Sequence, residues 1–229
     1  MNTLVKVARY HLVDRMTFVA LPWGILAFSF LVNVVVSLSV STGPRGIYTG
    51  GLATIYVFLL ISGALMMTRS LPFGLMLGVS RRSYYLGTGL LVLVLGVVYG
   101  LGLTLLQLVE RATNGWGVQL HFFRIPWIMD GPWYLTWLTS FVLLVLFFVY
   151  GIWSGLVYRR WSLPGLVAFI AAQLLVALLA VVAVSAAHDW TAVRQFFTTL
   201  TVLALTGVLA AVAAAIGVGG LTTMRRVTI

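Results

Sequence analysis

The side chains that could perform chemistry are few and lie far apart along the chain. The histidines are His11, His121 and His188, and no two of them have the spacing of a zinc-binding pair on one helix. The sequence has no cysteine, which excludes disulfides and thiolate metal sites. Its lysine, Lys6, does not follow the glycines of a nucleotide-binding loop, so the chain is not a P-loop ATPase.

The acidic residues also fail to form a catalytic set. Asp14, Glu110, Asp130 and Asp189 all lie at the ends of apolar stretches, so no carboxylate is committed to the middle of one. This distribution argues against a proton relay, a channel lined by acidic rings or an intramembrane protease. A metal site built from His121 and His188 is an alternative to ordinary histidines at a membrane surface. We predict no catalytic residue and no metal site.

Long apolar stretches free of charged residues make up most of the sequence. The chain is 62% hydrophobic and 8% charged, whereas soluble domains carry about 25% charged residues. A bilayer core needs ~20 apolar residues per crossing, and lipid forces each crossing to be helical. We therefore predict an all-α polytopic membrane protein, one transmembrane domain over 1–229. Its six transmembrane helices are expected at about 18–41, 51–68, 84–108, 133–157, 163–187 and 197–221.

The basic residues give the expected orientation. With a cytoplasmic N-terminus, ten of the 14 lysines and arginines lie on the cytoplasmic side and four outside. The positive-inside rule thus places both termini in the cytoplasm of a multi-pass protein of the cell membrane. The net charge of +10 is spread over span ends rather than gathered on one aromatic-rich face, so we expect no nucleic-acid partner.

Two further segments have interpretable patterns. Residues 1–16 carry apolar side chains on one helical face, with Lys6 and Arg9 away from it and Arg15 interrupting it. This favours an N-terminal helix lying in the cytoplasmic interface, the alternative being a charged extension of the first span. The aromatic-rich outer segment 110–130 favours an interfacial or half-inserted outer helix.

A few polar residues fall within the predicted spans. Ser29, Asn33 and Ser37 share one side of the first span, and Gln173 lies in the fifth. Two interpretations stay open for them. They form hydrogen bonds between helices, or they line a translocation path.

The loop between the second and third spans is unusually apolar. It reads RSLPFGLMLGVSRRS from Arg69 to Ser83. Ser70 is an expected N-cap, Pro72 suits a first turn, Gly78 suits a helix end and Ser80 suits the cap of the third span. We predict a short apolar helix over 70–80 at the cytoplasmic mouth, where either the lipid interface or a soluble partner covers it.

The stretch LPFGLMLGVSRRSYYLGT, Leu71–Thr88, resembles small actinobacterial permeases of the ABC-2 type exporter family, and so does the order of segments. The resemblance implies a permease subunit that is not itself an enzyme and that binds no cofactor. A separate ABC ATPase, in two copies, would bind ATP and Mg and hydrolyse the ATP. A second permease chain, alike or different, would complete the transporter within membrane lipid.

The resemblance also assigns roles to residues. The helix at 70–80 would be the coupling helix that docks on the ATPase, through Pro72, Phe73, Leu75, Met76, Arg81 and Arg82. The N-terminal helix would be the elbow helix, with Lys6, Arg9 and Arg15. The substrate would be amphipathic or hydrophobic and would be exported.

One feature departs from the family pattern. The outer loop 188–195 is expected to be too short for the re-entrant helices that many members carry between the fifth and sixth spans. The alternative functions are a membrane scaffold, immunity or regulatory protein without a transport cycle, and an intramembrane enzyme or passive channel.

Overall fold

A computed structural model describes residues 16–39, 46–126, 128–129 and 131–225 of this all-α protein. Its helices are α1 Leu21–Ser39, α2 Ala53–Leu65, α3 Leu71–Met76, α4 Arg81–Ala112, α5 Trp133–Ala186, α6 Trp190–Thr199 and α7 Val202–Arg225. π-Helical turns precede α1 at Met16–Ala20 and join α2 to α3 at Met66–Ser70. The predicted N-terminal helix, with Lys6, Arg9 and Arg15, lies outside the described residues.

In the described part of the chain, five helical stretches are long and apolar enough to cross a membrane. They are Phe18–Ser39, Ala53–Met76, Arg81–Ala112, Trp133–Ala186 and Val202–Met224. The fourth has 54 residues, about 80 Å of helix against a bilayer core of about 30 Å. Its helical geometry breaks at Ser162, where φ is 55° and ψ is −158°. The break divides α5 into α5a (133–161) and α5b (163–186), each long enough for one crossing.

The first half of α5 forms the centre of the bundle. α5a packs against α2, α4 and α7, and its buried residues include Leu144, Phe148 and Ile152. α1, α5b and α6 lie at the periphery, where most of their side chains are exposed. Nearly all of the exposed side chains of α5b are apolar, which suits contact with lipid tails.

Glycines let the central helices approach closely. A Cβ added at Gly151 or Gly155 of α5a would collide with the carbonyl of Leu60 or Ala64 on α2. A Cβ on Gly96 of α4 would meet the ring of Phe141 at 3.1 Å. Glycines therefore allow neighbouring helices to approach closely on both faces of α5a.

Three side-chain hydrogen bonds join α7 to the central helices within this apolar interior. Thr139 Oγ1 and Thr206 Oγ1 lie 2.9 Å apart between α5a and α7. Tyr85 donates its hydroxyl proton to Gly217 O over 2.6 Å, between α4 and α7. Trp153 Nε1 donates to Thr223 Oγ1 over 3.2 Å. Such bonds satisfy polar groups to which lipid tails offer no hydrogen-bond partner.

At two places the helix limits differ from the predicted span limits. Helical geometry continues past residue 68 to Met76. Near residue 197 there are two helices, because α6 ends at Thr199 and α7 begins at Val202. The hydroxyl of Thr201 accepts the backbone proton of Ala204 over 3.2 Å, which caps the new helix. The expected outer loop 188–195 is thus largely the start of α6.

The predicted interfacial helix in the outer segment 110–130 is wrong for its described part. α4 continues to Ala112, and then Asn114, Trp116 and Gln119 all have positive φ, which prevents a regular helix. Leu120–His121 instead pairs in parallel with Ile47–Tyr48, as strands β2 and β1 of two residues each.

Candidate functional site

The predicted coupling segment contains α3, which continues from α2, and the turn 77–80, which leads into α4. We call α3 and this turn the hairpin. The helix passes from α2 through the π-helical turn into α3 without a break, and Ser70 is itself helical and forms no capping bond. The expectation that Ser70 caps a separate helix is therefore wrong. Pro72 has no amide proton to donate to the carbonyl of Thr68. Arg159 Nη1 of α5a donates to that oxygen instead, over 3.3 Å.

The end of the hairpin follows the sequence prediction closely. α3 ends at Met76, and Gly78 takes the left-handed conformation with φ at 81°. Val79 N donates to Gly74 O over 3.1 Å and Gly78 N to Leu75 O over 3.0 Å, which is the Schellman pattern. The Ser80 hydroxyl accepts from Ser83 N over 3.1 Å and caps α4. The predicted roles of Gly78 and Ser80 are confirmed.

One face of α3 is anchored to the bundle. Leu71 and Gly74 are buried, and a Cβ on Gly74 would meet the ring of Tyr84 at 2.9 Å. Tyr84 in turn donates its hydroxyl proton to Met66 O over 3.3 Å. These contacts fix the hairpin against the start of α4.

The opposite face of the hairpin carries exposed apolar side chains. Phe73 is 46% exposed, Met76 77% and Leu77 64%. We call these three residues the apolar tip. Of the other residues assigned to the coupling segment, Pro72 and Leu75 are half-buried and flank the tip.

Arginines surround the apolar tip. Arg69 and Arg82 are exposed and Arg81 is half-buried. Arg159 and Arg160 end α5a beside them, with the Arg160 guanidinium 4.4 Å from the ring centre of Trp161. The described acids lie away from this end, since Glu110 is near the far end of α4 and Asp189 follows the far end of α5b. We call this positively charged end of the bundle the arginine end.

The polar residues assigned to a translocation path are hydrogen-bonded within the chain. Asn33 Nδ2 donates to Ser29 O of its own helix over 2.8 Å, and Ser29 Oγ lies 3.5 Å from Gly51 O. Ser37 is buried and donates to Val118 O over 3.0 Å. The bonds of Ser29 and Ser37 join α1 to neighbouring segments, and a role in a path stays a prediction.

Gln173 lies apart from that group, on α5b. Its Nε2 donates to Phe169 O over 3.1 Å, and its Oε1 accepts from the Tyr150 hydroxyl over 3.0 Å. The second bond crosses the break at Ser162 and joins the two halves of α5.

The end opposite the arginine end contains a buried carboxylate. Glu110 is 1% exposed. Its Oε2 accepts the backbone protons of Phe122 over 2.9 Å and Phe123 over 2.8 Å, and the indole proton of Trp116 over 3.1 Å. Its Oε1 accepts from Arg124 N over 3.2 Å. The carboxylate thus organises the backbone of the outer segment.

Basic side chains lie around this carboxylate. Glu110, Arg111, His121 and Arg124 line a polar cavity of about 320 Å³. His121 Nδ1 is 3.9 Å from Glu110 Oε1, and its ring stacks on Tyr48 with 4.5 Å between centroids. Arg111 Nη1 donates to Gly131 O over 3.1 Å, and its Nη2 donates to Met129 O. The described residues hold no group of three or more metal-ligating side chains.

No family model, curated protein or solved structure matches this chain.

The Glu110 cluster is the main feature that sequence reasoning missed. The sequence places Glu110 near the end of a helix, where it lies, but its partners lie six to 14 residues further along the chain. The sequence did contain a signal for this cluster. Glu110 precedes an aromatic segment without regular secondary structure, and the backbone N–H groups of such a segment need hydrogen-bond acceptors.

Proposed function

We propose that this chain is the transmembrane permease subunit of an ATP-binding cassette exporter. In this proposal it crosses the cell membrane six times with both termini in the cytoplasm. It moves an amphipathic or hydrophobic substrate with ATP hydrolysed by a separate ATPase chain. The observation that carries the proposal is the apolar tip of Phe73, Met76 and Leu77 at the arginine end.

The chemistry of the tip favours a soluble partner. Fully burying one such side chain stabilises a complex by about 1.5–3 kcal/mol, and the three lie on one hairpin. Arg69 and Arg82 are exposed on either side of it in sequence, so the complementary surface would be an apolar groove with an acidic rim. The positive-inside rule puts this end in the cytoplasm, where ATP is available.

The anchoring of the hairpin supports a mechanical role for it. Tyr84 holds the hairpin to α4, and Arg159 holds it to the central helix α5a. α2 runs into α3 without a break. A partner that moved the tip would therefore move α2 and α5a with it, which is the coupling that an ATP-driven transporter requires.

The remaining parts of the transporter follow from the same proposal. Two ATPases would serve two permease chains, as a homodimer or a heterodimer, and the elbow helix with Lys6, Arg9 and Arg15 would lie near the ATPase. The polar residues Ser29, Asn33, Ser37 and Gln173 would contribute to the path.

The test is affinity purification of the tagged chain from its native membrane in mild detergent, followed by mass spectrometry. We expect a stoichiometric P-loop ATPase whose activity the chain stimulates. Phe73→Asp should weaken its recovery at least about 30-fold, the effect of losing one central interface residue. Phe196→Asp is the matched control, since Phe196 is also exposed but lies on α6 at the other end.

Two results would contradict the proposal. The chain could purify alone or with a partner that is not an ATPase, which would favour a scaffold, immunity or regulatory protein. The ATPase could also be lost equally with Phe73→Asp and Phe196→Asp, which would remove the coupling role from the tip.

A further inference from the structure

An apolar groove opens on the side of the bundle at the arginine end. It has a volume of about 570 Å³ and lies between α4, α5a and α7, within the range of about 300–1,000 Å³ typical of ligand pockets. Its walls include Tyr85, Gly89 and Leu93 of α4, Val149 of α5a, and Gly217 and Val218 of α7. None of the described residues that line it is charged.

Two glycines on facing walls create the room in this groove. A Cβ added at Gly89 would meet nothing within 4 Å, and one at Gly217 would meet only Val149, at 3.8 Å. The hydroxyl of Tyr85, the polar group of the lining, is already bonded to Gly217 O. The groove therefore offers a hydrocarbon surface with no unmet hydrogen bond from that tyrosine.

The groove is short and ends close to the arginines. From Tyr85 to Leu93 helix α4 rises about 12 Å, which fits within one leaflet of a bilayer core about 30 Å thick. A partner helix that crosses the membrane would need a groove more than twice as long. A hydrocarbon chain that begins at the membrane surface has the matching length.

A cation stands at the mouth of the groove. Arg82 is exposed, and it shares a helical face with Leu86, Gly89 and Leu93, which line the groove. Helical side chains tilt toward the N-terminus of their helix, so the guanidinium is directed to the membrane surface rather than into the groove. The headgroup that suits this position is an anionic phosphate.

We propose that the groove binds one acyl chain of an anionic phospholipid, with the lipid phosphate at Arg82. The inference does not depend on the proposed transport function, since such a lipid could stabilise or regulate the bundle in any membrane protein of this fold. It assigns a site to residues that the coupling hairpin does not use, apart from Arg82 at its edge.

The test is native mass spectrometry of the purified full chain in detergent, titrated with phosphatidylglycerol and with phosphatidylcholine of the same acyl chains. We expect phosphatidylglycerol to bind about fivefold more tightly, the contribution of one arginine at an anionic surface. Arg82→Ala should abolish this preference and leave binding of phosphatidylcholine unchanged. Arg69→Ala, which removes another exposed arginine of the same end, should keep the preference.

Filling the groove gives the second arm. Gly89→Leu should abolish binding of both lipids, and Gly217→Leu should do the same from the facing wall, so one folded variant is sufficient. Gly207→Leu is the matched control, because its Cβ also meets nothing within 4 Å and Gly207 lies outside the groove. Size-exclusion profiles and tryptophan fluorescence melts would verify folding.

Three outcomes would overturn the proposal. The wild-type chain could bind both lipids equally, the filled variants could bind them like the wild type, or Arg82→Ala and Arg69→Ala could weaken the preference by the same factor. The last result would mean a diffuse surface charge rather than a site.

Discussion

Glu110 illustrates how one buried charge can order a whole segment. Its carboxylate accepts three backbone protons and one indole proton, and an ionised oxygen bonds such donors about twice as strongly as a neutral one. The segment that follows α4 contains several residues with positive φ and little regular structure. The carboxylate thus supplies the acceptors that a helix or sheet would otherwise provide.

Replacing Glu110 should therefore destabilise the segment that follows α4, where its hydrogen-bond donors lie. Glu110→Gln keeps the shape but turns one acceptor into a donor that faces a backbone N–H, which leaves buried protons unsatisfied. We expect a loss of about 2–4 kcal/mol in stability, measured as a lower midpoint of thermal unfolding by tryptophan fluorescence.

Asp189→Asn is the control for this substitution. Asp189 is exposed and forms no capping bond, so its replacement should change stability by less than about 0.5 kcal/mol. Equal effects of the two substitutions would mean that the Glu110 bonds contribute nothing specific.

At the scale of elements, packing of α2 on α5a depends on glycine. Gly63, Gly151 and Gly155 place the two backbones in contact, and Cβ atoms at Gly151 and Gly155 would collide with carbonyl groups of α2. In lipid, such close contact replaces the hydrophobic driving force that water provides to soluble helices. The continuous helix formed by α2 and α3 therefore keeps its position through close contact between main chains.

Gly151→Ala tests this interface. The added methyl group would meet the Leu60 carbonyl, so the helices must separate, at a cost of about 1–3 kcal/mol. Gly207→Ala adds the same methyl group in open space and should be neutral or stabilising by up to about 1 kcal/mol. Thermal unfolding of the two variants in the same detergent compares them, and a stable Gly151→Ala protein would disprove the close contact.

At the scale of the whole molecule, the break at Ser162 decides the topology. If α5a and α5b cross the membrane separately, Leu163 and Trp190 lie on opposite sides of it. Both residues are more than half exposed, and the chain has no native cysteine. Single cysteines can therefore be placed at either position without background labelling.

We expect Trp190→Cys to react with a membrane-impermeant maleimide on intact cells and Leu163→Cys to react only after lysis. Trp133→Cys and Met76→Cys give the matching pair for the outer and cytoplasmic sides. Labelling of residues 163 and 190 from the same side would show that α5b does not cross, and the six-span proposal would be wrong.

The sequence by itself determined the features that depend on neighbouring residues. The apolar stretches indicated the long helices, and Gly78 and Ser80 predicted the end of α3 and the cap of α4, because those bonds span three to five residues. Composition and charge predicted a membrane protein for the same reason, since they need no knowledge of distant contacts.

Only the tertiary structure decided which surfaces stay exposed and which polar groups find partners. The continuous helix from α2 into α3 is stabilised by Arg159, which lies far along the chain. Its guanidinium donates a hydrogen bond to Thr68 O, the carbonyl that Pro72 cannot bond. The Glu110 cluster, the parallel pair β1–β2 and the groove beside Gly89 and Gly217 each join segments that are distant in sequence. Local sequence propensity does not predict such contacts, because their free energy arises only when the helices pack together.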